Sequence, residues 1–161
     1  MANSFYNTGL KEIVDGTIDL VSDTIKVIPV TSSYTFNRDD LVVDAGGAND
    51  VVDHEIVATN YTGGWGGAGR KTLGTKAIAA DLTNDRAEFT CAAFTWTALG
   101  GATNATVQAY VVVKEGVSND TTSRLIAYID TLSSGTLPFT TNGSDVTVTP
   151  NSEGLFQWPT V

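Results

Sequence analysis

The sequence predicts an all-β protein, a single antiparallel β-sandwich or small barrel of jelly-roll type with one short N-terminal helix. Three observations predict it. Two apolar segments, Thr106 to Lys114 and Arg124 to Thr131, concentrate the β-branched and aromatic residues that suit a pleated, half-buried surface. Further short apolar runs recur along the chain, separated by turns bearing Gly, Asn and Asp. A helical period is confined to one short stretch near the start.

In chain order, the helix falls at Asn7 to Val14, where Leu10, Ile13 and Val14 share a face and Asp15-Gly16 provides a stop. Residues 1–16 read either as a cap on the domain or as an arm reaching a neighbour, with Phe5 and Tyr6 exposed ahead of the helix. Thr24 to Val30 is the first long strand; its Pro29 lacks a ladder donor and suits an edge or a strand end. Residues 32–53 form a long irregular loop of the kind that contacts partners. Glu55 to Tyr61 is a short strand candidate, followed by the glycine cluster Gly63 to Gly69. Arg70 to Ala80 and Arg86 to Thr97 form a hairpin around Asp81 to Asp85. Phe89, Cys91 and Ala93 alternate with smaller or polar residues, and Phe94-Thr-Trp-Thr reverses that phase, which predicts a bulge near Ala92-Ala93.

Gly100 to Asn104 turns the chain into the central pair, and Glu115 to Thr122 supplies the Gly, Asn and Asp of an antiparallel connection. Tyr110, Val112, Ile126 and Tyr128 make both faces of this pair apolar. One face is expected in the core, the other under a second sheet or a neighbouring subunit. Asp145 to Thr149 and Gly154 to Trp158 are the closing strands.

At 161 residues the chain fits a single β domain spanning 1–161. Its net charge of −9 repels phosphate backbones, so nucleic acid is not an expected partner. One cysteine, Cys91, builds no disulfide framework and reads as a core filler. The N-terminus carries neither a basic nor an apolar targeting region, and no window reaches membrane-spanning length, so a soluble product with no membrane partner is expected.

No catalytic, cofactor or metal residues are assigned, and the chain reads as a non-enzyme. Gly64-Trp-Gly-Gly-Ala-Gly satisfies the dinucleotide-binding spacing, but Lys71 to Ile78 continues as a strand, where a phosphate cradle needs a helix. Asp53-His-Glu places neighbours on opposite faces of an extended chain, and His54 reads as a solvated loop residue. Asp39-Asp40 reads as charged surface. The aromatics Trp65, Trp96, Trp158, Tyr110 and Tyr128 suit core and interface anchors better than a carbohydrate platform. Phe5, Tyr6, Trp65, Tyr110 and Tyr128 are the candidate interface residues.

Several segments, in order and spacing, resemble a family of small virion proteins of tailed bacteriophages. They are Tyr6 to Leu20, Asp23 to Val30 with Ser33-Tyr34, Tyr61-Thr-Gly-Gly, Phe94-Thr-Trp-Thr and Leu125 to Asp130. The resemblance implies a structural protein of the particle, foremost a capsid decoration or cement protein on the outer surface of the major capsid protein lattice, assembled as a homotrimer. A neck or tail component shares the same frames. The chain departs from the pattern at the Trp65 glycine loop and at Pro150 in the C-terminal strand region.

Overall fold

The computed structural model describes residues 3–132 and 135–158. The chain runs β1 (Asn3–Phe5), α1 (Asn7–Val14), β2 (Ile25–Val30), a 3-10 turn (Val51–His54), β3 (Lys71–Thr72), β4 (Ala77–Asp81), β5 (Arg86–Thr90) and β6 (Phe94–Leu99). It continues through β7 (Thr106–Val107), β8 (Ala109–Lys114), a second 3-10 turn (Asp120–Thr122), β9 (Arg124–Ile129), β10 (Phe139–Thr140), β11 (Ser144–Val148) and β12 (Phe156–Trp158). Five antiparallel strands form the main sheet in the order β1-β9-β8-β2-β3. Three small sheets, β12-β5-β4, β11-β6 and β10-β7, make the opposing layer. The sheets do not close on themselves, so of the two expected architectures the barrel is excluded.

Alternation along the main strands assigns the two faces. Ile25 and Val27 of β2 and Tyr110 and Val112 of β8 point into the core between layers, where Phe89, Phe94, Trp96 and Phe156 meet them. Phe5 meets Phe156 edge-on at 5.5 Å, and Trp96 stacks on Tyr110 at 5.6 Å. Full burial of each such side chain contributes about 1.5–3 kcal/mol. In β9, Val112 pairs with Ala127 and Val113 with Leu125, so Ile126 is an extra residue, and the register shift lets both Ile126 and Ala127 reach the core.

The opposite face is equally dry. Ile28, Val30, Ala109, Val111, Val113 and Leu125 lie under Tyr6, Tyr34, Val43 and Val51. The cover is not a second sheet but Tyr6 and residues 32–53 of the same chain. That segment is stitched down by Val43 N–H to Ser123 O at 3.0 Å and Leu125 N–H to Leu41 O at 3.2 Å.

The expected exposure of Phe5 and Tyr6 is also corrected. Phe5 pairs with Ala127, and Tyr6 is fully buried, its N–H donated to Ile126 O at 3.1 Å and its hydroxyl bonded to that of Tyr34 at 2.7 Å. The described part of the N-terminal segment is therefore a cap on its own domain. Helix α1 has the expected bounds but a different inner face: Gly9 and Glu12 are buried, Leu10 and Ile13 half-buried, and Val14 exposed. Gly9 decides this, because a Cβ there would lie 2.1 Å from Leu125 O.

Three other expectations change. Residues 55–61 are not a strand; Glu55 makes a single bridge to Val30. The phase reversal at Cys91 to Ala93 is a complete break, which sends β5 and β6 to different sheets. Pro29 lies inside the sheet, but β3 reaches only Lys26 and Val27, so no neighbour on that side asks Pro29 for a donor, while its carbonyl accepts Ile56 N–H at 3.1 Å. Pro150 falls between β11 and β12 and separates them.

Gly9→Ala should destabilise the fold by about 1–3 kcal/mol through overpacking. Gly74→Ala, with open space around it, should be near neutral; equal denaturation midpoints for the two variants would contradict the close packing of α1 on β9. A second expectation concerns alkali. Burial raises the hydroxyls of Tyr6, Tyr61 and Tyr110, and raises that of Tyr34 to about 12, against an ordinary 10.0. Above about pH 10 the unfolded chain loses these protons while the folded chain keeps them. The stability they contribute is complete below that pH and is lost as pH rises through the folded values. Tyrosinate absorbance should emerge together with unfolding; smooth tyrosinate titration of all five tyrosines in a chain that stays folded would refute it.

Candidate docking surface

One end of the main sheet is organised by a buried cation. Arg70, directly before β3, is 4% exposed. Its Nε donates to Glu55 Oε1 at 2.9 Å and its Nη2 to Glu55 Oε2 at 2.6 Å, while Nη1 reaches Asp120 Oδ1 at 2.5 Å. Burial opposes the charge of Arg70, but the hydrogen bonds to Glu55 and Asp120 outweigh it and hold the guanidinium above its ordinary value. Tyr61 donates its hydroxyl to Glu55 at 2.5 Å, and burial followed by the charge of Glu55 pushes that hydroxyl well up.

The glycine loop is folded around this cluster. Gly64 adopts φ +78° and gives its N–H to Glu55 Oε2 at 3.0 Å. Gly69 lies so close to Tyr61 that a Cβ would be 2.7 Å from the ring, and its carbonyl accepts Trp96 Nε1–H at 2.6 Å. The loop then enters β3, not a helix, so it offers no helix N-terminus to a phosphate. What it offers is Trp65, 43% exposed, whose indole N–H is donated to Gly116 O at 2.9 Å. The next residue of that link, Val117, is 93% exposed. That hydrogen bond joins the two loops and sets Trp65 beside the residue that precedes Val117, so two exposed apolar side chains mark one rim. Beside it lies a cavity of about 190 Å³ lined by Glu12, Thr17, Ile18, Lys114, Val117 and Arg124.

Of the five candidate interface residues, the structure leaves Trp65 exposed and Tyr128 half-buried. Phe5, Tyr6 and Tyr110 are buried within the chain and are corrected from interface to core. Tyr128 packs on Phe36 at 5.0 Å and Tyr34 at 6.0 Å, surroundings separate from the link that holds Trp65. Trp96 is buried and Trp158 stacks on Phe5 at 5.9 Å, so these aromatics are dispersed through the molecule. His54 is half-buried in its 3-10 turn, 6.1 Å from the Tyr34 ring, and is less solvated than expected. Asp39 accepts from Asn7 and Asp40 from Asn37 at the surface. Among the described residues no group of His, Cys, Asp and Glu has the arrangement of a metal site, and no helix is long and apolar enough to cross a membrane.

The Glu55–Arg70–Asp120 cluster escaped sequence reasoning. Its members are 15 and 50 residues apart, and the one local signal is an arginine between a glycine cluster and a strand. Comparison with protein families, curated proteins and solved structures finds no match.

Arg70→Met should cost about 3–5 kcal/mol, because it leaves two buried carboxylates uncompensated. Adding Glu55→Gln and Asp120→Asn should restore part of that loss in urea unfolding. A single variant as stable as the parent would remove the cluster from its central place.

Proposed function

We propose that the chain is a structural protein of a tailed-bacteriophage virion, a capsid decoration or cement protein seated on the outer surface of the major capsid protein lattice. The observation that carries the reading is where the resembling segments lie. Tyr6, Ile18, Val27, Tyr34, Trp96, Leu125 and Ile129 are all buried, so the resemblance lies in residues that set the frame of the domain. A dense all-β module of net charge −9 suits an outer surface, away from packaged DNA.

Docking is assigned to the rim formed by Trp65 and Val117. A half-exposed tryptophan on a loop braced by a buried ion cluster is a pre-ordered anchor, the kind of residue that dominates binding energy. Trimers at local threefold positions would multiply a weak contact on a repeating lattice.

Purified particles should carry on the order of hundreds of copies on the capsid, as a repeating lattice requires. A dozen or fewer would move the protein to the neck or tail. Trp65→Ala should lower occupancy on capsids by roughly tenfold or more while the melting midpoint stays put. Glycan binding lost with Trp65→Ala, at unchanged occupancy, would favour a carbohydrate-binding module.

A further inference from the structure

Strand β4 is the outer edge of the β12-β5-β4 sheet. Among the described strands it alone exposes four consecutive residues, Ala77, Ile78, Ala79 and Ala80, and Ile78 is 49% exposed. β5 is the strand that pairs with it. Natural sheets blunt such an edge with charge, proline, a bulge or brevity. Here β1, β3, β7, β10 and β12 are three residues or shorter, β11 is irregular between Ser144 and Val146, and β6 exposes only Thr97. The Ala77 to Ala80 run has none of these protections. The charges that flank it are already engaged within the chain, Lys76 with Asp23 O and Asp81 with Arg86 at 3.1 Å.

The occupant follows from register. Phe156 pairs with Phe89 and Phe89 with Ile78, and the two phenylalanine rings stack at 4.7 Å. Directly opposed residues share a face, so Ile78 is the open end of an apolar row. We infer that β4 is a self-association edge on which two copies of this chain pair β4 with β4, antiparallel, about a two-fold axis through Ile78.

In that register Ile78 meets its own counterpart, Ala77 meets Ala79, Lys76 meets Ala80 and Thr75 meets Asp81. No like charges are opposed, which matters between two chains that each carry −9. The alanines set no steric limit on approach. The row from Phe156 through Phe89 to Ile78 continues across the axis into its own image, and two three-stranded sheets become one of six strands. Any other partner must bring an unpaired strand of matching pattern; a copy has one, and an isologous contact repeats each gain on both sides. Being two-fold, the contact would join trimers without building them, and it does not rest on the virion reading.

Sedimentation equilibrium of the isolated full chain tests it. The parent should self-associate reversibly to dimers. Ile78→Lys should weaken the dimer by roughly tenfold or more with its melting midpoint retained. Val57→Lys, at an exposed β-branched residue outside β4, should leave it intact. Directly opposed strand residues have Cα atoms about 4.5–5.5 Å apart, within reach of a disulfide. Ile78→Cys should therefore form a disulfide-linked dimer on mild oxidation. Ala80→Cys, whose counterpart is displaced by four residues or about 13 Å along the strand, should not; the native Cys91 is buried. A parent that stays monomeric at high concentration, an Ile78→Cys chain that does not cross-link, or equal association of the two lysine variants would overturn the inference.

Discussion

The guanidinium of Arg70 is the fixed point of the irregular half of the molecule. Removing one such ion from water costs several kcal/mol, and only near-complete pairing offsets it. Glu55 takes one edge of the fork and Asp120 the other, and Tyr61 and Gly64 donate to the same two Glu55 oxygens, one to each. Each partner comes from a segment with little regular structure: the end of the covering loop, the glycine loop and the connection before β9. With both carboxylates bound to one cation, these three segments hold a common geometry, and the positions of Trp65 and Val117 follow from it.

The main sheet illustrates a related constraint. Its strands are apolar on both faces, a pattern associated with sheets sandwiched between two layers. Here one of those layers is a loop. Irregular backbone can serve because its polar groups are satisfied locally: Asp50 accepts from Ala45 and Gly47, Asp44 from Gly46, and Asn49 exchanges hydrogen bonds with Thr35. Tyr34, Val43 and Val51 are then free to face the sheet, while the charged residues between them stay at the surface.

How much of this was legible depended on range. Strands β8 and β9, the bounds of α1 and the β4–β5 turn were readable because periodicity, capping and turn chemistry act over a few residues. The strands expected over Thr106 to Lys114 and Arg70 to Ala80, by contrast, each divide between two sheets, β7 from β8 and β3 from β4. The buried face of α1 was not legible: Leu10, Ile13 and Val14 carry the hydrophobic signal, but the helix approaches β9 through Gly9, a residue that hydropathy ignores. Phe5 and Tyr6 looked exposed because nothing local indicates that β9, more than a hundred residues later, receives them. The covering loop was read as irregular, correctly, but its sparse Val and Tyr residues are spaced by fold and not by period. Of the Trp65–Val117 rim, Trp65 was legible as an aromatic residue stranded among glycines. The ion cluster beneath it required three distant residues to be known as neighbours.

The pairing of β1 with β9 also sets an order of events during synthesis. Asn3 lies opposite Ile129 and Phe5 opposite Ala127, so the first strand emerges from the ribosome long before its site exists. Until β9 follows, Phe5 and Tyr6 stay uncovered and the apolar strand β2 has no β8 beside it. Contacts of such long sequence separation fold slowly and leave sticky edges open while they wait. The net charge of −9, spread along the whole chain, opposes contact between unfolded copies during the interval before the last strand of the main sheet arrives.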